Sequence, residues 1–172
     1  MPTRPYPAEL EGELTLRDGT RVAVRPIRPA DVELEKRFVE RLSERSRFQR
    51  FMYPLKDLTP GMLARFIQPD YDRELALVAL HQDEFIAVGR YAANPDGMTA
   101  EFALVVADAW QRKGLGRMLL EKLVEEARKA GYRALYGTIL DDNHEMRELV
   151  RRLGFVHDSR DGATVTLVKL LG

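Results

Sequence analysis

The strongest constraint on this chain is a change of hydrophobic period near its middle. Three short, nearly continuous apolar runs occupy 75–80, 85–91 and 100–106, separated by a polar break and by the turn cluster Asn94-Pro95-Asp96-Gly97. Runs of that length bounded by turn residues read as strands of an antiparallel meander. The period then lengthens. Leu115, Met118, Leu119, Leu123 and Ala127 recur at three- and four-residue steps. They share one face of a helix over 114–130, and Gly131 stands where a C-terminal cap belongs.

The flanking segments extend this pattern. Residues 14–16 and 22–25 alternate around Asp18-Gly19, which predicts a hairpin. Pro29-Ala30-Asp31 opens a helical stretch carrying Val32, Leu34, Phe38, Val39 and Leu42, and a second piece holds Phe48, Phe51 and Met52 among arginines. Thr59-Pro60 reads as N-cap and first position of a third helix. Residues 134–140 form a strand, 145–153 a helix stopped by Gly154, and 155–156 and 163–170 the last strands. The proline-spaced residues 1–13 read as an extended segment. Residues 14–172 form a single mixed α/β (α+β) domain, with no repeat or linker.

Composition narrows the chemistry. A chain of 172 residues, 45% hydrophobic, suits one core. The absence of cysteine excludes disulfides, thiolate metal sites and a cysteine nucleophile. Lys+Arg 27 against Asp+Glu 27 provides no chain-wide field to gather nucleic acid or anionic membrane, so neither is an expected partner. No apolar run nears the ~18–20 residues that span a bilayer, and no signal segment opens the chain, so a cytoplasmic location is expected. His81, His144 and His157 lack metal-ligand spacing, and no metal is expected.

The sharpest local motif is Gln111-Arg112-Lys113-Gly114-Leu115-Gly116-Arg117, between a strand and the amphipathic helix. Its glycines allow close backbone approach, and the N–H groups of the helix start can face an anion such as a pyrophosphate. The same residues also read as a glycine-shaped loop with solvated cations. A Walker loop is excluded because Arg117-Met118 follows Gly116, and a dinucleotide fingerprint because Leu119 replaces its third glycine.

This motif resembles the Gln/Arg-x-x-Gly-x-Gly/Ala signature of the GNAT superfamily of acyl-CoA-dependent N-acyltransferases. Asn143, followed by a helix ending in Leu153-Gly154-Phe155, also matches, and the elements from about Thr15 to Leu170 follow the superfamily's order. Three further stretches are similar to the Pat-type bacterial protein lysine acetyltransferases. They are Arg25-Pro26-Ile27-Arg28-Pro29-Ala30-Asp31, Leu42-Ser43-Glu44-Arg45-Ser46-Arg47-Phe48 and Asp70-Tyr71-Asp72-Arg73-Glu74. The resemblance implies the GNAT fold, a mixed, mostly antiparallel sheet flanked by helices. It also implies acetyl transfer from acetyl-CoA to a protein lysine, typically on an acyl-CoA synthetase. Such a domain occurs alone or as a module of a longer fusion; oligomeric state is not implied.

The site residues follow from the same resemblance. Glu101 takes the position of the general-base glutamate; its bland alternative is an exposed strand residue. Leu104, Val105 and Val106 would contact pantetheine through main-chain atoms at the place where two strands splay. Gln111, Arg112, Lys113, Gly114, Leu115, Gly116 and Arg117 would hold the pyrophosphate. Asn143 would contact the pantetheine, cap a helix, or both. The superfamily's general-acid tyrosine is replaced by Leu149-Val150, so either the thiolate leaves unassisted or another group such as Tyr136 helps. Asp70-Tyr71-Asp72-Arg73-Glu74 is a rival carboxylate cluster, and Arg41, Arg45, Arg47 and Arg50 form a group suited to an acidic partner surface. Trp110 reads as packing beneath the glycine turn. Two other functions stay open: acetylation of a small-molecule amine, and acyl-CoA sensing without turnover.

Overall fold

A computed structural model describes residues 4–172; the first three positions of the expected segment 1–13 lie outside the described residues. Among the described residues, eight strands form one sheet. They are β1 (Gly12–Thr15), β2 (Arg21–Pro26), β3 (Glu74–His81), β4 (Glu84–Ala93), β5 (Thr99–Val106), β6 (Ala134–Leu140), β7 (Val156–Asp161) and β8 (Thr164–Leu170). The helices are α1 (Val32–Arg41), α2 (Glu44–Phe51), α3 (Pro60–Ile67), α4 (Leu115–Lys129) and α5 (His144–Arg152). The spatial order is β1-β2-β3-β4-β5-β6-β8-β7, and β5–β6 is the parallel pair in an otherwise antiparallel sheet.

Helices cover both faces of the central strands, which is why β3 to β5 read as unbroken apolar runs rather than alternating ones. Ala100, Phe102 and Leu104 join the core under α4, where Leu119, Leu120, Leu123 and Ala127 are fully buried. Val105 turns to the other face, with Phe38 and Val39 of α1 and Ile67 of α3. Gly89 permits the close α4–β4 approach: a Cβ there would lie 3.0 Å from Leu123 Cδ1.

Two expectations change. The segment before β1 is not extended throughout: Ala8–Leu10 form a 3-10 turn, and β1 begins at Gly12. Tyr6 and Leu10 pack on the core, and the Tyr6 ring meets Tyr71 edge-on at 5.9 Å, so tertiary contacts override the extended bias of the prolines. The strand starting near Phe155 runs on through His157-Asp158-Ser159-Arg160-Asp161. Every residue of β7 is exposed and only β8 pairs with it. An edge strand with no buried face carries no alternation to read.

The topology matters most between β5 and β6. They pair only at Thr99–Ala134, Ala100–Leu135 and Glu101–Tyr136, and then diverge. At the divergence the Phe102 ring fills the place a side chain at Gly137 would take, and it packs edge-on against Phe155 at 5.3 Å. Gly137→Ala would drive its Cβ into that ring. The expected cost is about 2–3 kcal/mol, or a fall in melting temperature of roughly 5–10 °C, readable in a thermal melt.

Candidate active site

The divergence of β5 from β6 opens a cleft of about 750 Å³. Its floor is β5 from Glu101 to Val106, whose β6-side main-chain groups have lost their strand partner beyond Glu101. Thr138 and Ile139 of β6 line the opposite side, with the start of α5 and the start of α4 closing one end.

That end is built by two left-handed residues. Arg112 has φ +63° and Gly114 φ +87°, and they reverse the chain into α4. The first α4 backbone bond runs from Met118 N to Gly114 O, 3.1 Å. The N–H groups of residues 115–117 therefore have no intrahelical acceptor and form the positive end of a fifteen-residue helix. Gly116 has a different task. A Cβ there would stand 3.2 Å from Leu149 Cδ1 and 3.4 Å from Val106 Cγ2, between two walls of the cleft. Gln111 fastens the turn to the strand, its Nε2 donating to Val106 O at 3.0 Å.

Most of the expected residues converge here. Glu101, Leu104, Val105, Val106, Gln111, Arg112, Gly114, Gly116, Arg117 and Asn143 all line the one cleft. Lys113 and Leu115 do not. The Lys113 ammonium turns away to Asp18, 3.2 Å, and the Leu115 side chain is core, 1% exposed. Lys113 leaves the turn before α4 begins, and Leu115 lies on the α4 face that packs on the sheet. Arg112 and Arg117, the motif cations that face the cleft, carry acids of their own: Arg112 holds Glu145 at 3.1 and 2.5 Å, and Arg117 holds Glu121 at 2.9 Å. Such exposed pairs are screened by solvent and yield readily to a phosphate.

Asn143 takes the expected N-cap position and also lines the cleft. Its Oδ1 accepts from Met146 N at 3.3 Å as the α5 N-cap, while its Nδ2 has no partner among the described residues. Glu101 is exposed on the cleft floor, and its carboxylate makes no hydrogen bond or ion pair among the described residues. Tyr136 is elsewhere: its hydroxyl exchanges hydrogen bonds with Asn94 at 3.1 and 3.3 Å, and no tyrosine lines the cleft among the described residues. Val150 is fully buried.

The rival carboxylates have a structural role. Asp70 Oδ1 accepts from the N–H groups of Asp72, Arg73 and Glu74 at 2.8–3.0 Å, shaping the entry to β3 away from the cleft. The Trp110 ring lies tilted against His81 at 4.7 Å and packs on the core. Among the described residues no cluster of three His, Asp or Glu could hold a metal ion, and no helix is long and apolar enough to cross a membrane.

The sequence reading missed one wall. Ser46, Gln49 and Arg50 of α2 line the cleft, and exposed Arg17 from the β1–β2 hairpin lies against Gly114. Asp108 brings α2 there. Its carboxylate accepts from Ser43 N (3.1 Å), Ser43 Oγ (2.8 Å) and Ser46 Oγ (3.1 Å), anchoring the Ser43 N-cap of α2 to the loop after β5. Burial pushes the Asp108 carboxyl up, but these hydrogen bonds outweigh it and leave it below its ordinary value. A lowered folded-state value adds stability above the unfolded carboxyl's ~3.9, which is lost as pH falls through the folded value. Asp108→Asn should therefore cost about 1 kcal/mol at pH 7, and the gap should close below about pH 4 in a pH series of urea melts.

The comparisons with known proteins agree with this geometry. The family model described as Acetyltransferase (GNAT) family matches residues 38–155. The chain is 37% identical over 146 residues to Acetyltransferase PA5475 of Pseudomonas aeruginosa, covering 83% of this chain and 78% of that protein. It is 29% identical to Acetyltransferase Pat of Mycolicibacterium smegmatis over 89% of this chain, and spans 47% of that protein's length. The crystal structure of the GNAT domain of S. lividans PAT superposes with a TM-score of 0.91 at 32% identity, covering 96% of this chain and 99% of that one. A sheet that splits beside a glycine turn, and these matches together, place the chain in the GNAT family of acetyltransferases, which use acetyl-CoA.

Proposed function

We propose that this chain transfers an acetyl group from acetyl-CoA to the side-chain amine of a protein lysine, on an acyl-CoA synthetase, with Glu101 as general base. The observation that carries the reading is Glu101 itself: a carboxylate with no partner among the described residues, on the floor of a cleft that ends at an uncapped helix start. The likeness to the GNAT domain of S. lividans PAT and to M. smegmatis Pat supports the choice of acceptor.

The residues fit acetyl-CoA. The bare Gly116 leaves room between Leu149 and Val106, and the N–H groups of residues 115–117 suit a pyrophosphate. The unpaired edge of β5 and Asn143 Nδ2 suit pantetheine amides. Acetyl-CoA supplies an acyl thioester. The chain must deliver a neutral amine to it, although a lysine ammonium has a pKa of ~10.4. Glu101 accepts that proton, and the amine attacks the thioester carbonyl. A β5 N–H then stabilises the oxyanion, an effect worth about 3 kcal/mol in comparable sites. With a thiol pKa near ~8.5, the sulfur departs as thiolate without a tyrosine acid. With no cysteine in the chain, an acetyl-cysteine relay has no nucleophile.

The test is CoA release with purified acyl-CoA synthetases and with free amines, followed by mass spectrometry of the acceptor. Acetyl-lysine on a synthetase is the expected result. Turnover on free amines but never on a synthetase would overturn the protein-lysine reading, and tight acetyl-CoA binding without any turnover would favour a sensing role.

A further inference from the structure

The arginine group at 41–50 does not act as one patch. Arg41 pairs with Glu84 at 3.3 Å, and Arg47 donates to Leu42 O at 2.6 Å. Arg45 is exposed, and Arg50 alone of the four lines the cleft. There Arg50 stands apart from the other cleft arginines. Arg112, Arg117 and Arg152 each hold a glutamate, and Arg17 belongs to the glycine-turn end. Arg50 is half-buried within reach of the Glu101 charge, and its guanidinium has no hydrogen bond or ion pair among the described residues. Its unpaired nitrogens are not sealed off in the interior.

Its surroundings hold the guanidinium in place rather than satisfy it. Phe51 lies 4.7 Å and Phe66 5.7 Å from the Arg50 guanidinium carbon, and Arg90 approaches the same Phe66 ring at 4.5 Å. Arg90 donates to Phe66 O at 3.2 Å, so it has a partner that Arg50 lacks. The nearby acids, Glu35 and Glu101, act only at a distance; neither comes within 4.0 Å of Arg50 as an ion pair. Burial, together with the Arg90 cation, brings Arg50 down to about 10. A desolvated guanidinium with free donors gains strongly from a carboxylate, which it can grip with two parallel hydrogen bonds.

We propose that Arg50 is an anion subsite of the acceptor half of the cleft, taking the carboxylate of an acidic residue that neighbours the target lysine. The proposal rests on the acetyl-transfer reading and deepens it. Glu101 and Arg50 line one cleft, so an acceptor with an amine and a carboxylate meets a base and a cation together. The shared chemistry is a carboxylate near the amine; a free amino acid presents the same pair, and the test separates the two sources.

The experiment measures binding to the CoA-loaded protein by fluorescence anisotropy, so it reads even where turnover is absent. The probes are a labelled lysine peptide with flanking Asp or Glu and its Asn or Gln counterpart. Unlabelled lysine and its decarboxylated diamine compete against the acidic peptide, and calorimetry reads both directly. The acidic peptide is expected to bind about tenfold tighter than the amide peptide. Arg50→Gln should erase that ratio, and Arg50→Lys should keep part of it, with melting temperature and acetyl-CoA affinity followed to show that each variant is folded. Equal binding of the two peptides, no measurable binding of any probe, or equal loss of both peptides in Arg50→Gln would overturn the subsite. A preference for lysine over the diamine that Arg50→Gln abolishes, with no peptide binding, would keep an anion subsite but overturn its peptide source and the protein-lysine reading. Acetylation of a synthetase with no acid preference would do the reverse.

Discussion

Glu101→Gln is expected to lower kcat by about 100- to 1,000-fold while acetyl-CoA still binds. Glutamine preserves the size of the side chain and removes only its ability to take a proton. No hydrogen bond or ion pair among the described residues is lost with the charge, so the fold has little reason to change. The pH profile discriminates further. Near pH 7 a free lysine amine is neutral only about once in 2,500 molecules, given its pKa of ~10.4. The wild-type carboxylate compensates for that scarcity, whereas the variant must wait for it. The variant's rate should therefore rise roughly tenfold per pH unit through the alkaline range and approach that of the wild type. An unchanged kcat, or a parallel loss at every pH, would remove Glu101 as the base.

Gly116→Val should weaken acetyl-CoA binding by about 100-fold or more, measured by calorimetry. A Cβ at this position already meets Leu149 Cδ1 at 3.2 Å, Val106 Cγ2 at 3.4 Å and Leu104 Cδ2 at 3.6 Å. The two extra methyl groups extend into the space that α4, α5 and the end of β5 leave for a ligand. Stability should change little, because valine is a better helix former than glycine by a few tenths of a kcal/mol, which offsets part of the crowding. Gly114→Ala is the contrasting variant. Its φ of +87° strains any side chain by about 1–2 kcal/mol, so stability falls and affinity is affected less. Wild-type affinity in Gly116→Val would place the donor substrate elsewhere.

The anion subsite gives α2 a role that its sequence does not advertise. Asp108 holds the first turn of that helix, and Arg50 lies on its last turn, so a residue in the loop after β5 determines where the acceptor wall stands. Loosening that clamp should affect acceptor binding before it affects the donor site.

Much of the fold was legible because it is written in local periodicity and local dihedral demand. The meander, the α4 stripe, the Thr59 cap that accepts from Met62 N, and the left-handed Gly131 and Gly154 stops lie where spacing and turn chemistry put them. The glycine turn could be found for the same reason: Gly114 needs a positive φ and Gly116 needs an absent side chain, and both demands leave a mark in the residue types. Three features left no such mark. The divergence of β5 from β6 is a pairing that stops, and it depends on Phe102 meeting Gly137 thirty-five positions away. The assignment of Lys113 to Asp18 and of Leu115 to the core depends on which way each side chain leaves the turn. The α2 wall depends on Ser43 and Asp108, separated by 65 residues. By itself the sequence determined the central strands, the five α-helices and the turn that starts α4, but not the exposed edge strand β7 or the 3-10 turn before β1, since only the former are contests among neighbouring residues. Which side chains share the cleft was decided only by tertiary structure, since contacts between distant segments are fixed by packing and carry no period along the chain.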